Sequence, residues 1–149
     1  MERYIRFARE EDLEFILRLE QQSPAEAWSP DSVAGLLGYD GGDDEYVRFA
    51  VVMPGYGYMG ISRAGDEAEV LNLIVDEKCR RQKAGYRLMM WTEDLLRLNG
   101  VERMFLEVEE DNIGAIALYR LLGYEEYNRR YSYYGPGRDA VLMKKELGE

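Results

Sequence analysis

Residues 104–124, MFLEVEEDNIGAIALYRLLGY, commit this chain to a strand that runs directly into a helix. Met104, Phe105, Leu106 and Val108 form a short apolar run interrupted in its middle only by Glu107. Asp111 or Asn112 then supplies an N-cap, and the apolar residues Ile113, Ile116, Ala117 and Leu121 recur at helical spacing. Gly123 stands where a helix ends in a left-handed residue. A strand feeding a helix is the unit of a layered α/β architecture, in which helices cover a sheet.

The same stretch brings a carboxylate and a phenol close together, as acid–base chemistry requires. Strand residues alternate faces, so Phe105, Glu107 and Glu109 can share a partly wet face while Met104, Leu106 and Val108 face a core. On that reading Glu107 is an ordinary surface-side glutamate. Tyr119, two turns into the helix, equally suits core packing with its hydroxyl tied to a partner. The residue pattern leaves both readings open.

The rest of the chain supplies the other layers. Residues 4–8 read as a strand, and a helix over 10–20 places Leu13, Ile16, Leu17 and Glu20 on one side. Trp28, Ser29 and Pro30 look like the entry to a second helix over 30–37. The acidic, glycine-rich run 38–44 is expected to be a mobile loop near a substrate mouth. Residues 47–53 and 58–62 read as a hairpin around Pro54 to Gly57, and 67–75 as the next strand. A third helix over 85–99 has Leu88, Trp91, Leu95 and Leu98 at helical spacing. The tyrosines at 124, 127, 131, 133 and 134 fill the last hairpin, and strand propensity accounts for about half of them. The order βααβββαβαββ describes a mixed α/β sheet.

Composition excludes several chemistries. At 149 residues, with 46% hydrophobic and 32% charged, the chain is expected to be one soluble domain with its own core. With no histidine, Ser-His-Asp and Cys-His nucleophiles and His-ligated metals are impossible. Cys79 is the one cysteine, beside Arg80 and Arg81, and reads either as a reactive thiol or as incidental. The formal charge of −10 disfavours nucleic acid and favours cationic partners. The first residues, MERYIRFAREED, carry charges throughout, and the longest uncharged run, 49–62, is broken by Pro54 and three glycines. Neither secretion nor a membrane span is expected, and the cytoplasm is the expected compartment.

Between the strand at 67–75 and the helix at 85–99 lies RRQKAG, residues 80–85. The first turn of a helix offers unpaired N–H groups and a positive dipole end, so this basic turn suits a pyrophosphate, or is simply solvated.

Three runs carry a resemblance. LEVEEDNIGAIALYRLLGY resembles the C-terminal signature of GNAT-fold acetyltransferases, and within them the RimI type, which acetylates protein N-termini with acetyl-CoA. AEVLNLIVDEKCRRQKAG, residues 68–85, resembles the family's strand and loop for the CoA pyrophosphate, and RRYSYYGPGRDAVLM, residues 129–143, its closing hairpin. The likeness covers most of 68–143, and the first half of the chain matches loosely. It implies a single GNAT domain over 1–149, with a mixed central sheet of about seven strands and about four helices. It further implies acetyl-CoA as donor, no metal, and a basic ribosomal protein's N-terminal amine as acceptor. An acceptor that is a polyamine, amino acid or aminoglycoside, or a CoA-binding module with little catalysis, are the alternative readings.

Residue by residue, the resemblance places acetyl-proximal backbone contacts on Leu73, Ile74 and Val75. It places phosphate contacts on Arg80, Arg81, Gln82, Lys83, Ala84, Gly85 and Tyr86, with Asn112 and Tyr119 also touching the cofactor. In the family pattern Arg-x-x-Gly-x-Gly, Arg80 and Gly85 match, while Lys83 stands where the first glycine is usual. If that position needs a positive φ, lysine there costs on the order of 1 kcal/mol. Glu107 is implied as general base and Tyr119 as general acid, with Trp28, Tyr133 and Tyr134 on the acceptor side. A terminal α-amine of pKa ~8 needs only a modest base, whereas proton transfer from a tyrosine near ~10 to a thiolate near ~8.5 is uphill by roughly 2 kcal/mol.

Overall fold

The computed structural model describes residues 4–42, 44–80 and 83–148, and among these the chain forms seven strands and four α-helices. A two-residue strand β1 (Arg6–Phe7) precedes α1 (Leu13–Glu20) and α2 (Pro30–Ala34). A meander follows: β2 (Tyr46–Met53), β3 (Gly57–Ala64) and β4 (Glu67–Val75). Then come α3 (Ala84–Leu98), β5 (Arg103–Glu109), α4 (Ile113–Leu121), β6 (Glu125–Arg130) and β7 (Ala140–Glu146). The strands lie in the order β1-β2-β3-β4-β5-β7-β6, a mixed α/β sheet. Every pairing is antiparallel except β4 with β5, whose crossover is α3.

The sheet separates two cores. α3 and α4 cover one face through Leu88, Met89, Leu96, Tyr119 and Leu122 over Met59, Ile61, Met104 and Leu106. α1 and α2 cover the other through Ile16, Leu19 and Val33 over Ala50, Val52 and Tyr58. β5 alternates between them: Met104, Leu106 and Val108 are buried against α3 and α4, while Phe105, Glu107 and Glu109 face the other way, half-buried.

β4 and β5 pair over four residues only, from Glu67 opposite Arg103 to Val70 opposite Leu106. Beyond that, β4 stays with β3 as far as Val75, and β5 stays with β7 as far as Glu109. The divergence begins at a bulge: Ile61 faces Val70 and Gly60 faces Asn72, leaving Leu71 without a partner on β3. An extra residue in one strand bends and twists it, and here the bend carries β4 away from β5.

Three helical expectations change. The second helix stops at Ala34, because the carbonyl of Leu36 accepts from the N–H of Ala50 and Gly38, at φ +90°, donates to Ala8. The buried seam of α3 runs through Ala84, Leu88, Met89, Thr92 and Leu96, with Leu98 at 85% exposure. On α4 the core side is Ala115, Ile116, Leu118 and Tyr119, while Ile113 and Leu121 point outward. The loop expected at a substrate mouth lies elsewhere. Tyr39 packs its ring on Phe7 and Phe49 at the β1–β2 edge, Gly41 adjoins Phe7, and Asp43 falls outside the described residues. Among the described residues no helix is long and apolar enough to cross a membrane.

Candidate active site

Where β4 and β5 part, a cleft of about 1080 Å³ opens. Leu73, Ile74 and Val75 of β4 form one wall, and Asn112, Ala115, Leu118 and Tyr119 at α4 form the other. Arg80, Lys83, Ala84, Gly85 and Tyr86 border it where α3 begins. Glu20, Ser23 and Glu26 border it on the α1 side, so the opening connects both faces of the sheet. Along 71–75 the edge of β4 facing this cleft carries backbone donors and acceptors that β5 does not pair.

Lys83 caps the start of α3 with φ 62° and ψ 21°, the left-handed conformation that glycine adopts freely. Among the described residues no side chain caps this terminus, so its first N–H groups face the cleft without a side-chain partner there. Two residues later, Gly85 keeps α3 close to α4: a Cβ there would come within 3.3 Å of the Leu118 Cδ2. At the facing terminus Asn112 caps α4, its side chain accepting from the N–H of Ala115 at 3.2 Å. Free helix N–H groups, basic Arg80 and Lys83, an unpaired strand edge and an apolar wall together fit the pyrophosphate and amide-bearing arm of CoA. Arg81 and Gln82, also expected at the phosphates, lie outside the described residues.

Tyr119 stands on α4 with 7% of its surface exposed. Its ring meets Tyr124 edge-on at 6.0 Å, and burial pushes its phenol up to about 12. Tyr124 in turn donates to Glu93 at 2.9 Å, and Lys145 neutralises Glu93 at 2.6 Å. This triad, with Tyr124 and Glu93 buried and Lys145 at its edge, fixes the ring beneath Tyr119. The Tyr119 hydroxyl itself has no hydrogen-bond partner among the described residues, and the side chain lines the cleft.

Glu107 is not on the cleft wall. Its carboxylate lies on the α1–α2 face of β5, where it accepts from the Tyr134 hydroxyl at 3.2 Å and stands 3.7 Å from the Arg130 guanidinium. Burial first, then the charge and hydrogen bond of Glu107, push the Tyr134 phenol up to about 12. Tyr133 meets Tyr134 edge-on at 5.1 Å and lies under Arg130. Arg138 reaches from the same loop to Glu109 at 2.7 Å and to Glu26 at 3.8 Å. Trp28, half-buried, packs into the α1–α2 core and does not line the cleft.

Sequence reasoning missed the buried acid that lines the cleft. Glu20, 1% exposed at the end of α1, accepts from the Tyr58 hydroxyl, the Asn72 side-chain amide and, at 3.0 Å, the N–H of Trp28. The signal was a glutamate on the apolar side of an amphipathic helix.

Comparison with known proteins fits this geometry. Residues 1–124 match the acetyltransferase (GNAT) family. The ribosomal protein bS18-alanine N-acetyltransferase of Escherichia coli K12 is 34% identical over 137 residues, 89% of each chain. The crystal structure of the ribosomal-protein-S18-alanine N-acetyltransferase from Escherichia coli superposes with a TM-score of 0.84 at 29% identity, over 99% of this chain and 96% of that one. An aminoglycoside 6′-N-acetyltransferase crystallised with coenzyme A shares the fold, with a TM-score of 0.80 at 16% identity over 98% of each chain. GNAT acetyltransferases take their acetyl group from acetyl-CoA. On the family match and the shared seven-stranded fold, this chain belongs to the GNAT family and is an acetyltransferase.

Proposed function

We propose that this enzyme acetylates the α-amine of a protein N-terminus, with donor and acceptor bound together and the amine attacking directly. The observation that carries this reading is the opening through the sheet. It has the basic N-terminus of α3 on one side, the acidic residues Glu20 and Glu26 on the other, and on its wall the Tyr119 hydroxyl, unpartnered among the described residues. Acetyl-CoA supplies the acetyl group as an activated thioester. The α3 terminus with Arg80 and Lys83 would hold the pyrophosphate, and the free edge of β4 along 73–75 would pair with the arm.

Tyr119 donates its proton toward the departing sulfur. At about 12 its phenol lies ~3.5 units above an ordinary thiol, a gap on the order of 5 kcal/mol. The desolvation that lifts the phenol also lifts a thiol in the same cleft, which narrows the gap. Glu107 takes the proton from the acceptor amine through water, because its carboxylate lies on the acceptor face and off the cleft wall. Tyr133, Tyr134 and Trp28 belong to the acceptor side.

The 34% identity to an enzyme named for the alanine of a ribosomal protein supports a protein N-terminus as acceptor. The charge of −10 supports a basic one. Such an enzyme works in the cytoplasm, where ribosomal proteins are made. The test is thiol release from acetyl-CoA in the presence of a basic peptide that begins with alanine. Release is expected with the free peptide and not with its N-blocked form, and turnover confined to polyamines would overturn the reading.

A further inference from the structure

We propose that Glu20 recognises the acceptor's ammonium group, an inference that rests on the amine-acetylating function above. Three acids are buried among the described residues: Asp12, Glu20 and Glu93. Asp12 is paired with Arg6 at 2.8 Å and Glu93 with Lys145 at 2.6 Å. Glu20 makes no ion pair among the described residues, although it is the one of the three that lines the cleft. A carboxylate taken out of water without a cation is costly, and the fold retains this one at the rim where the acceptor enters.

Its surroundings hold it as an acceptor of hydrogen bonds. Oε2 accepts from the Tyr58 hydroxyl on β3 and from the Asn72 amide on β4, and Oε1 accepts from the N–H of Trp28. The Tyr58 phenol is pushed far up, by burial first and then by Glu20, so it remains a donor. A carboxylate offers about four acceptor positions, and three are filled. The fourth has no donor among the described residues and would take an N–H of the incoming ammonium. Asn72 follows the bulged Leu71, so the same backbone irregularity that opens the sheet fixes this carboxylate at the opening. The ammonium would dock against Glu20 as a cation before giving up its proton.

The experiment compares two peptides that differ in one atom at the acceptor: one beginning with alanine, the other with 2-hydroxypropanoic acid, which puts a neutral hydroxyl in place of the ammonium. Both are titrated calorimetrically against the enzyme with CoA present. The wild type is expected to bind the amine at least about tenfold more tightly, and Glu20→Gln to reduce that ratio to within about twofold. Tyr58→Phe removes a donor but keeps the charge, so the wild-type ratio should survive in it. A wild-type ratio near one, an unchanged ratio in Glu20→Gln, or an equal loss in Tyr58→Phe overturns the inference. Thiol release is followed with the same amine peptide. Wild-type turnover with an unaltered Glu20→Gln ratio overturns only the role of Glu20, whereas no wild-type turnover overturns the acceptor assignment and this inference with it.

Discussion

Tyr119→Phe separates a catalytic phenol from a structural one. The hydroxyl has no partner among the described residues and lines the cleft, so deleting it orphans no buried donor or acceptor. The ring keeps its edge contact with Tyr124. Stability should therefore change by less than about 0.5 kcal/mol. For a chain of this size that is a shift in Tm of at most about 2 °C. Losing a positioned acid should lower turnover by roughly 10²–10⁴, or about 3–5 kcal/mol of barrier. Steady-state thiol release, the KM for acetyl-CoA and a thermal melt are measured on the same preparation. Turnover within about tenfold of wild type refutes the assignment. So does a Tm lower by more than about 5 °C with cofactor binding lost, which is the signature of a packing residue.

Lys83→Gly relieves a left-handed lysine worth about 1 kcal/mol but removes an ammonium at the cleft. Its Tm should rise by about 2 °C while its dissociation constant for CoA increases about threefold, and any fall in Tm contradicts the strain argument. Gly85→Ala adds helix propensity but sets a Cβ 3.3 Å from Leu118, so CoA affinity should drop roughly tenfold with the melt unchanged or higher. The phenols of Tyr58, Tyr119, Tyr124 and Tyr134 are all raised by burial, Tyr119 and Tyr134 to about 12. The fold favours their neutral forms. For Tyr119 and Tyr134 that contribution is complete below the unfolded value of ~10 and is lost as pH climbs through about 12, while Tyr58 and Tyr124, raised further, keep theirs to higher pH. Urea midpoints that are equal at pH 9 and pH 11 would contradict this.

Strand and helix order was legible in the sequence because apolar periodicity and glycine or proline punctuation report local structure. The alternation of β5 came out as the pattern implied, with Glu107 facing away from Leu106 and Val108. The lysine at the family's glycine position pointed to a strained cap, and φ 62° is that strain. Which side of a helix faces inward was less legible. α4 is apolar nearly all round, so spacing alone could not choose Tyr119 and Leu118 over Ile113 and Leu121. The second helix ended early because Leu36 found a long-range partner in Ala50, which no local signal announces. Glu20 stood among leucines in the sequence, but its donors come from β3, β4 and the chain after α1, so its role emerges only when the strands meet.

The four rungs between β4 and β5 are the whole hydrogen-bonded seam between a four-stranded half and a three-stranded half of the sheet. A molecule laid along the free margin of β4 acts as additional stitching, so its binding energy is also cohesion energy for the domain. At a hundredfold excess over its dissociation constant, such a ligand adds about 2.7 kcal/mol to the unfolding free energy. The durability of this protein in the cell is thereby tied to the supply of the metabolite it consumes.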